Sequence, residues 1–254
     1  MEVTFHRFIL AEVNTHRAWS RNSASSRAIP IARRIEDLIA DPAFPVEFGI
    51  NQPGMFASDI LKGQAYDAAL ECWIEAMDNA IATARKLADL GVHKQVTNRL
   101  LEPFQWHTAI VSATEWDNFF AQRISNSAQP EMHLLALAIQ QAYTQSEPIL
   151  VKEGDWHLPF ISIEELNEFS LETLLKVSVA RCARVSYLNH GGQKSIEDDL
   201  KLHNKLVHGN HHSPFEHVAT PSDENCSSLR LPKIGNFTGW MQLRHSGIQM
   251  DLGF

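Results

Sequence analysis

Leu70, Ile74, Met77, Ile81, Ala84 and Ala88 recur at alternating steps of four and three. That spacing lays one apolar stripe along a helix, and Gly91 stands where the helix should end. Met132, Leu135, Ile139 and Tyr143 mark a second buried stripe, and Pro30 can open a helix through 31–40, IARRIEDLIA. Thr114-x-x-Asp117, Ser162-x-x-Glu165 and Ser195-x-x-Asp198 have the spacing of helix-capping starts, the last closed by Gly209. Residues 3–12, VTFHRFILAE, alternate roughly between β-branched or aromatic and other side chains, which predicts a strand running into a polar, small-residue loop. Residues 41–64 are rich in Pro and Gly and read as a surface loop, with a shorter helix expected after Gly91. Residues 177–187, VSVARCARVSY, have the β-branched density of a strand or of a helix-to-strand joint, and the pattern leaves both open. The fold class expected is α+β, a mixed sheet with several long packed helices, in one domain over residues 1–254.

Composition narrows this picture. A chain of 254 residues, 44% hydrophobic, can bury a full core, so disorder is not the reading. The formal charge of −8, with no tail of like charges, argues against a nucleic-acid polymer or an anionic membrane as partner. No stretch reaches the ~18 apolar residues of a spanning helix, and residues 1–13 carry no signal-peptide pattern. Cys72, Cys182 and Cys226 are widely spaced and odd in number, which suits free thiols and a cytoplasmic location.

Against that acidic background, residues 13–35 hold Arg17, Arg21, Arg27, Arg33 and Arg34 and no acid. Ser23-Ala24-Ser25-Ser26 offers small side chains, approachable backbone N–H groups and hydroxyls, and Arg27 adds a fork for oxygens, the materials of a phosphate site. A capping turn would use the same residues. A second cluster, His208, His211, His212, Glu216 and His217, invites a metal reading, but no H-E-x-x-H is present and Ser213-Pro214 breaks any helix that would align the ligands. No metal is expected, and Glu216 with the imidazoles is read as a hydrogen-bonding set around a heteroaromatic ligand.

Four elements together resemble the flavin-dependent thymidylate synthases of the ThyX type. Thr15-His16-Arg17 followed by Asn22, Ser25 and Arg27 is similar to that family's Arg-His-Arg signature and its closing Ser-Gly-Arg. Ala183-Arg184-Val185-Ser186-Tyr187, a helix, and then Ser213-Pro214-Phe215-Glu216-His217 resemble its second pair of elements. Gly91-Val92 with Arg99 and Pro103, and Asn118-Phe119 with Arg123, resemble the remaining two. In the family the second pair precedes the Arg-His-Arg motif, whereas here it comes last, so the chain resembles a circularly permuted, phage-like member. Residues 219–254 form a tail without assignment.

The resemblance implies FAD as cofactor, methylene-tetrahydrofolate as co-substrate, NADPH as a reductant, and a deoxypyrimidine monophosphate, dUMP first, as substrate. It implies that Ser23, Ala24, Ser25, Ser26 and Arg27, with Arg99 and Arg123, hold the nucleotide, Ser25, Arg99 and Arg123 being nearest the chemistry. It further implies that His16, Arg17, Asn22, Asn118, Gln122, Ser127, Ser186, Ser213 and Glu216 contact flavin, in sites shared between subunits of a homotetramer. Two departures stand out: Thr15 replaces the first motif arginine and Ser23 replaces a glutamate, while Gln242 followed by Arg244-His245 offers a substitute cation from the tail. The implied product is thymidylate. Small hydroxyls at 15 and 23 leave 5-hydroxymethylation open, and a non-catalytic flavin- or nucleotide-binding protein or a metal-dependent phosphoesterase are the other classes.

Overall fold

Val3 and Phe5 alternate inward against exposed Glu2 and Thr4, and the computed structural model, which describes residues 1–186, 195–222 and 233–246, forms strand β1 over Glu2–His6. The strand ends well short of residue 12. The His6 imidazole accepts a bond from the Phe8 amide, a 3-10 turn spans Arg7–Ile9, and α1 (Leu10–Val13) follows, so Ile9 and Val13 are buried together one helical turn apart. β2 (Ser20–Ser23) then emerges from the polar stretch, and α2 (Ile31–Ala40) starts directly behind Pro30.

Helix α3 (Gln64–Asp89) runs to the expected stop, with Gly91 at φ 81° where a side chain would be strained. Only Met77, Ile81 and Ala84 of its stripe are buried; Ile74 stays 37% exposed. The short α4 (Lys94–Thr97) leads through a 3-10 turn (Asn98–Phe104) into β3 (Trp106–Ser112). α5 (Asp117–Arg123) begins without the expected Thr114 cap, because the Thr114 hydroxyl instead accepts the Thr238 amide at 3.0 Å. α6 (Pro130–Gln145) buries Met132, Leu135 and Ile139, but Tyr143 lies beyond the edge of the core and is 49% exposed.

The capping box at Ser162 and Glu165 opens α7 (Ile163–Glu168), and the ambiguous run 177–187 proves helical as far as Val185, within α8 (Leu171–Val185). Burial decides against β propensity here: Leu175, Val179 and Ala183 pack toward α9 (Ile196–His208), while Cys182 and Val185 pack on Ile110 of β3. Tyr187, the last residue of that run, lies outside the described residues. Asp199, fully buried on α9, receives Arg184 at 2.7 Å and Arg181 at 3.0 Å, and Arg181 also grips Glu165. A 3-10 turn (Ser213–Glu216) leads to β4 (Ala219–Pro221), and the tail adds β5 (Lys233–Ile234), β6 (Phe237–Thr238), β7 (Trp240–Gln242) and a last 3-10 turn (Leu243–His245).

The fold is α+β. Its main sheet has the order β1-β3-β2, with Val3 opposite Ala109 and Asn22 opposite Ile110. β1 and β2 run the same way, but β3 inserts between them and opposes both, so the ladders among the described residues are antiparallel where a mixed sheet was expected. Ala109 and Val111 face α6 on one side, and Ile110 faces α8 on the other. Cys72 is exposed, Cys182 is buried, and Cys226 lies outside the described residues. No described helix is long and apolar enough to cross a membrane.

Ile110→Ala should cost about 2–4 kcal/mol, because the void falls between the sheet and α8. Urea unfolding should show one cooperative transition at a lower midpoint; two separated transitions would mean that the sheet and α8–α9 fold independently.

Candidate active site

Strand β2 carries Asn22 to a junction of three segments. Its Nδ2 donates to the Cys182 carbonyl of α8 at 3.1 Å, and its Oδ1 accepts from Ser213 Oγ at 3.1 Å. Ser186, which caps the carboxyl end of α8, has its Oγ buried without a hydrogen-bond partner among the described residues. One strand thus gathers Asn22, Ser213 and the end of α8. Glu216 lies in the same 3-10 turn as Ser213 and is the carboxylate that offsets the burial of the Arg21 guanidinium.

His16 forms the next group. Its Nε2 accepts Arg123 Nε at 3.1 Å, its ring meets Trp19 and Phe119 at 5.0 and 4.9 Å, and Arg21 donates to its carbonyl at 2.5 Å. Burial, with Arg123 and Arg21 adding to it, pushes the imidazole down to about 4, so it is neutral near pH 7 and presents an acceptor to Arg123. Arg17 is exposed beside it in sequence. Asn118 and Gln122, linked at 3.1 Å one turn apart, are on the exposed side of α5, and Ser127 bonds Ser125 at 2.9 Å just beyond.

The small-residue loop is held from beneath by a buried polar clamp. Ser26 Oγ donates to Glu102 and accepts from Arg7 at 2.6 Å; Arg7 also pairs with Glu102 at 2.9 Å and donates to His107 Nδ1 at 2.6 Å. Asn98 Nδ2 donates to the carbonyls of Ser26 and Ile29, at 2.5 and 2.9 Å, and Lys94 reaches the Ala28 carbonyl at 3.1 Å. Ala24 is buried, Ser23 half-buried, and Ser25 and Arg27 are exposed on the outer side of this turn. Arg99 joins through Glu102 at 2.9 Å. Arg99 and Arg123, grouped together from the sequence, therefore stand in two different networks, the first with the Ser26 loop and the second with His16.

The tail closes the arrangement. Gln242 Nε2 donates to Ser20 Oγ at 2.7 Å and to the Glu216 carbonyl at 2.6 Å, and Arg244 forms an ion pair with the Glu216 side chain. Asn236 adds a bond to Ser20 Oγ at 3.1 Å.

Residues 1–149, more than half of the chain, match the family model described as Thy1, thymidylate synthase complementing protein. The chain belongs to this family. No curated protein matches it. Membership in Thy1 makes it an enzyme of thymidylate-synthase type with a nucleotide substrate, in a family that depends on flavin.

The residues gathered here fit such a cofactor. Ser186 Oγ is a buried hydroxyl unpartnered among the described residues, Asn22 and Ser213 present amide and hydroxyl groups, and Arg21, Arg123 and Arg244 supply positive charge suited to a diphosphate. The histidines after His208 diverge: His208 turns back to the Asn204 carbonyl at 2.6 Å, His211 is exposed, and His217 is buried against Ser112 at 3.0 Å. Among the described residues no group of three or more His, Cys, Asp or Glu is placed to hold a metal. Arg184, part of the motif, works for Asp199. The sequence reading missed Arg7, Asn98 and Glu102; the only trace was a charged residue, Arg7, between the apolar Phe5 and Ile9 of a strand-like run.

His6 and His16 are pushed to about 4, and His107 and His217 to about 3, burial being the largest cause for each. The unfolded chain takes up protons on these rings below their ordinary 6.5, while the folded chain resists. The stability they contribute is therefore complete above pH 6.5 and is lost as the pH falls toward 4 and 3. The urea midpoint should drop across that window, and His16→Gln should flatten part of the drop; an unchanged slope would contradict the neutral, buried assignment.

Proposed function

We propose that the protein transfers a one-carbon unit from methylene-tetrahydrofolate to C5 of a deoxypyrimidine monophosphate, dUMP first, giving thymidylate. The observation that carries this reading is the Asn22 junction, which joins the motif strand in the family-matched part of the chain to Ser213 and α8. FAD, when bound, supplies the redox chemistry of the methyl transfer, with NADPH as its reductant. His16, Arg17, Asn22, Ser186, Ser213 and Glu216 would hold it, with Asn118, Gln122 and Ser127 on α5 completing the contact, across subunits of a homotetramer. The uncovered stripe at Ile74 on α3 supports association between copies.

The nucleotide falls to the other group. Ser25 and Arg27 face outward from the loop, where the phosphate would meet them together with Arg99. Ser26 serves the loop itself, since its hydroxyl is engaged by Glu102 and Arg7. Arg123 completes the base contacts from beside His16. Donors aimed at the uracil carbonyls stabilise the charge that develops as C5 attacks, at about 3 kcal/mol for each well-placed one. No thiolate is needed: burial pushes the Cys182 thiol up, and Cys72 lies on the outer side of α3.

The motif order is read as a circular permutation over a single catalytic domain, residues 1–254. Support comes from the tail, whose Gln242-x-Arg244 reaches Ser20 and Glu216 close to the stretch where Thr15 lacks the usual cation. A second product, the 5-hydroxymethyl nucleotide, is favoured by Thr15 itself, a small side chain whose hydroxyl turns back to the Glu12 carbonyl at 2.6 Å and leaves room for water.

Purified protein should be yellow and release FAD on denaturation, and Arg17→Ala or Glu216→Ala should weaken flavin binding about ten- to a hundredfold, the range of a lost charged hydrogen bond. A colourless protein that takes up no flavin would end the reading. Mass spectrometry of the product from dUMP, methylene-tetrahydrofolate and reduced flavin separates the two outcomes by one oxygen. Oxygen-18 carried in from water would exclude simple thymidylate synthesis.

A further inference from the structure

Arg34, on the first turns of α2, is 5% exposed, yet its guanidinium makes no hydrogen bond or ion pair with any described residue. Its Nε is wholly enclosed without a partner. Two carboxylates lie close enough to act on it, Asp37 and Glu102, and both are already engaged: Asp37 with Arg33 at 2.8 Å, Glu102 with Arg7, Arg99 and Ser26. A buried guanidinium whose nearest carboxylates are bonded to other cations has its charge only partly balanced and its donors unused, which is costly. Gln105 repeats the pattern: it is 6% exposed and its Nε2 is enclosed with nothing to donate to.

Both side chains line one cleft of about 760 Å³, within the range that accepts a small organic molecule. Pro30 and Leu38 give it apolar wall, Trp106, 41% exposed, adds an indole, and Asp37, held by Arg33, and Asp41 also line it, so Arg34 is the lining cation that no described carboxylate bonds. Behind this wall burial, with Arg7 and Arg34 adding to it, holds His107 neutral. None of the residues assigned above to flavin or nucleotide lines the cleft.

We propose that this cleft is a second ligand site, binding a planar ring that carries a carboxylate or a phosphate, with Arg34 and Gln105 as the donors to the anion and Trp106 against the ring. The Arg34 fork suits either oxyanion, and Gln105 Nε2 supplies a neutral donor beside it.

Calorimetric titration with benzoate, phenyl phosphate and inorganic phosphate, on protein without added flavin or nucleotide, tests this independently of turnover. Benzoate or phenyl phosphate should bind more tightly than inorganic phosphate, and which of the two is tighter identifies the anion. Arg34→Met should weaken binding at least tenfold, Gln105→Leu by a smaller factor, and Arg27→Ala, in the loop assigned to the nucleotide, should leave it unchanged. No binding to the wild type, equal affinity in Arg34→Met, or loss in Arg27→Ala would overturn the proposal. Should Arg34→Met fail to fold, unchanged affinity in both Gln105→Leu and Trp106→Ala would overturn it equally. A colourless, flavin-free protein that still binds benzoate through Arg34 would remove the proposed function and leave this site standing.

Discussion

Strand β3 is buried on both faces, and the remainder of the molecule is arranged around that constraint. Ala109 and Val111 require α6 on one side, while Ile110 requires α8 on the other. A strand covered on both faces fixes its register firmly, because a slip of one residue would exchange the two sets. With register fixed, β2 is fixed too, and Asn22 arrives opposite Ile110, where its amide meets the Cys182 carbonyl of the helix packed on that face. The polar junction is thus a consequence of apolar packing: the contact that joins Ile110 to α8 also brings the motif strand to the end of the motif helix.

The loop after β2 is set by a different force. Arg7, Ser26, Glu102 and His107 form a desolvated polar network, and Glu102 is kept ionised because Ser26 and Arg7 outweigh its burial. Removing one partner of such a set typically costs about 3–5 kcal/mol, far more than the pair contributes relative to apolar packing, so the network specifies position more than it adds stability. Its effect is to hold the backbone of residues 25–29 from within, leaving Ser25 and Arg27 outward. Glu102 also pairs with Arg99, so the network reaches from the buried Arg7 to an exposed cation beside the loop.

Sequence periodicity conveyed most of the helices, since α3, α6 and α9 have stripes or caps that local physics enforces. It failed where tertiary contacts decide. The run 177–187 has strand-like residues, but they serve two packing faces of α8, and only the positions of α9 and Ile110 reveal that. Thr114 has capping spacing, yet a strand more than a hundred residues away claims its hydroxyl. Motif spacing pointed to Asn22 and Ser213, which do meet, and to Glu216 in the same turn as Ser213, because each motif is a short rigid piece. It gave no hint of Arg7 or Asn98, whose partners lie 95 and 72 residues away. Arg34 was visible only as one charge in a basic stretch; that it is buried with its Nε unpartnered among the described residues is a property of the packing.

The charge near Glu216 shows what chain order does and does not decide. The potential at a point depends on where cations sit in space, and a guanidinium delivered by residue 244 acts there as one delivered by residue 15 would. What connectivity changes is how firmly the group is held. Arg244 follows β7, which pairs with β4, and Gln242 anchors the turn through Ser20 and the Glu216 carbonyl, so its base is well placed. Its side chain is nevertheless 40% exposed, and an ion pair that open to water contributes little to stability. A pair worth little as a brace is readily exchanged for another anion, so holding the tail in place falls to Gln242 and to the β4–β7 ladder.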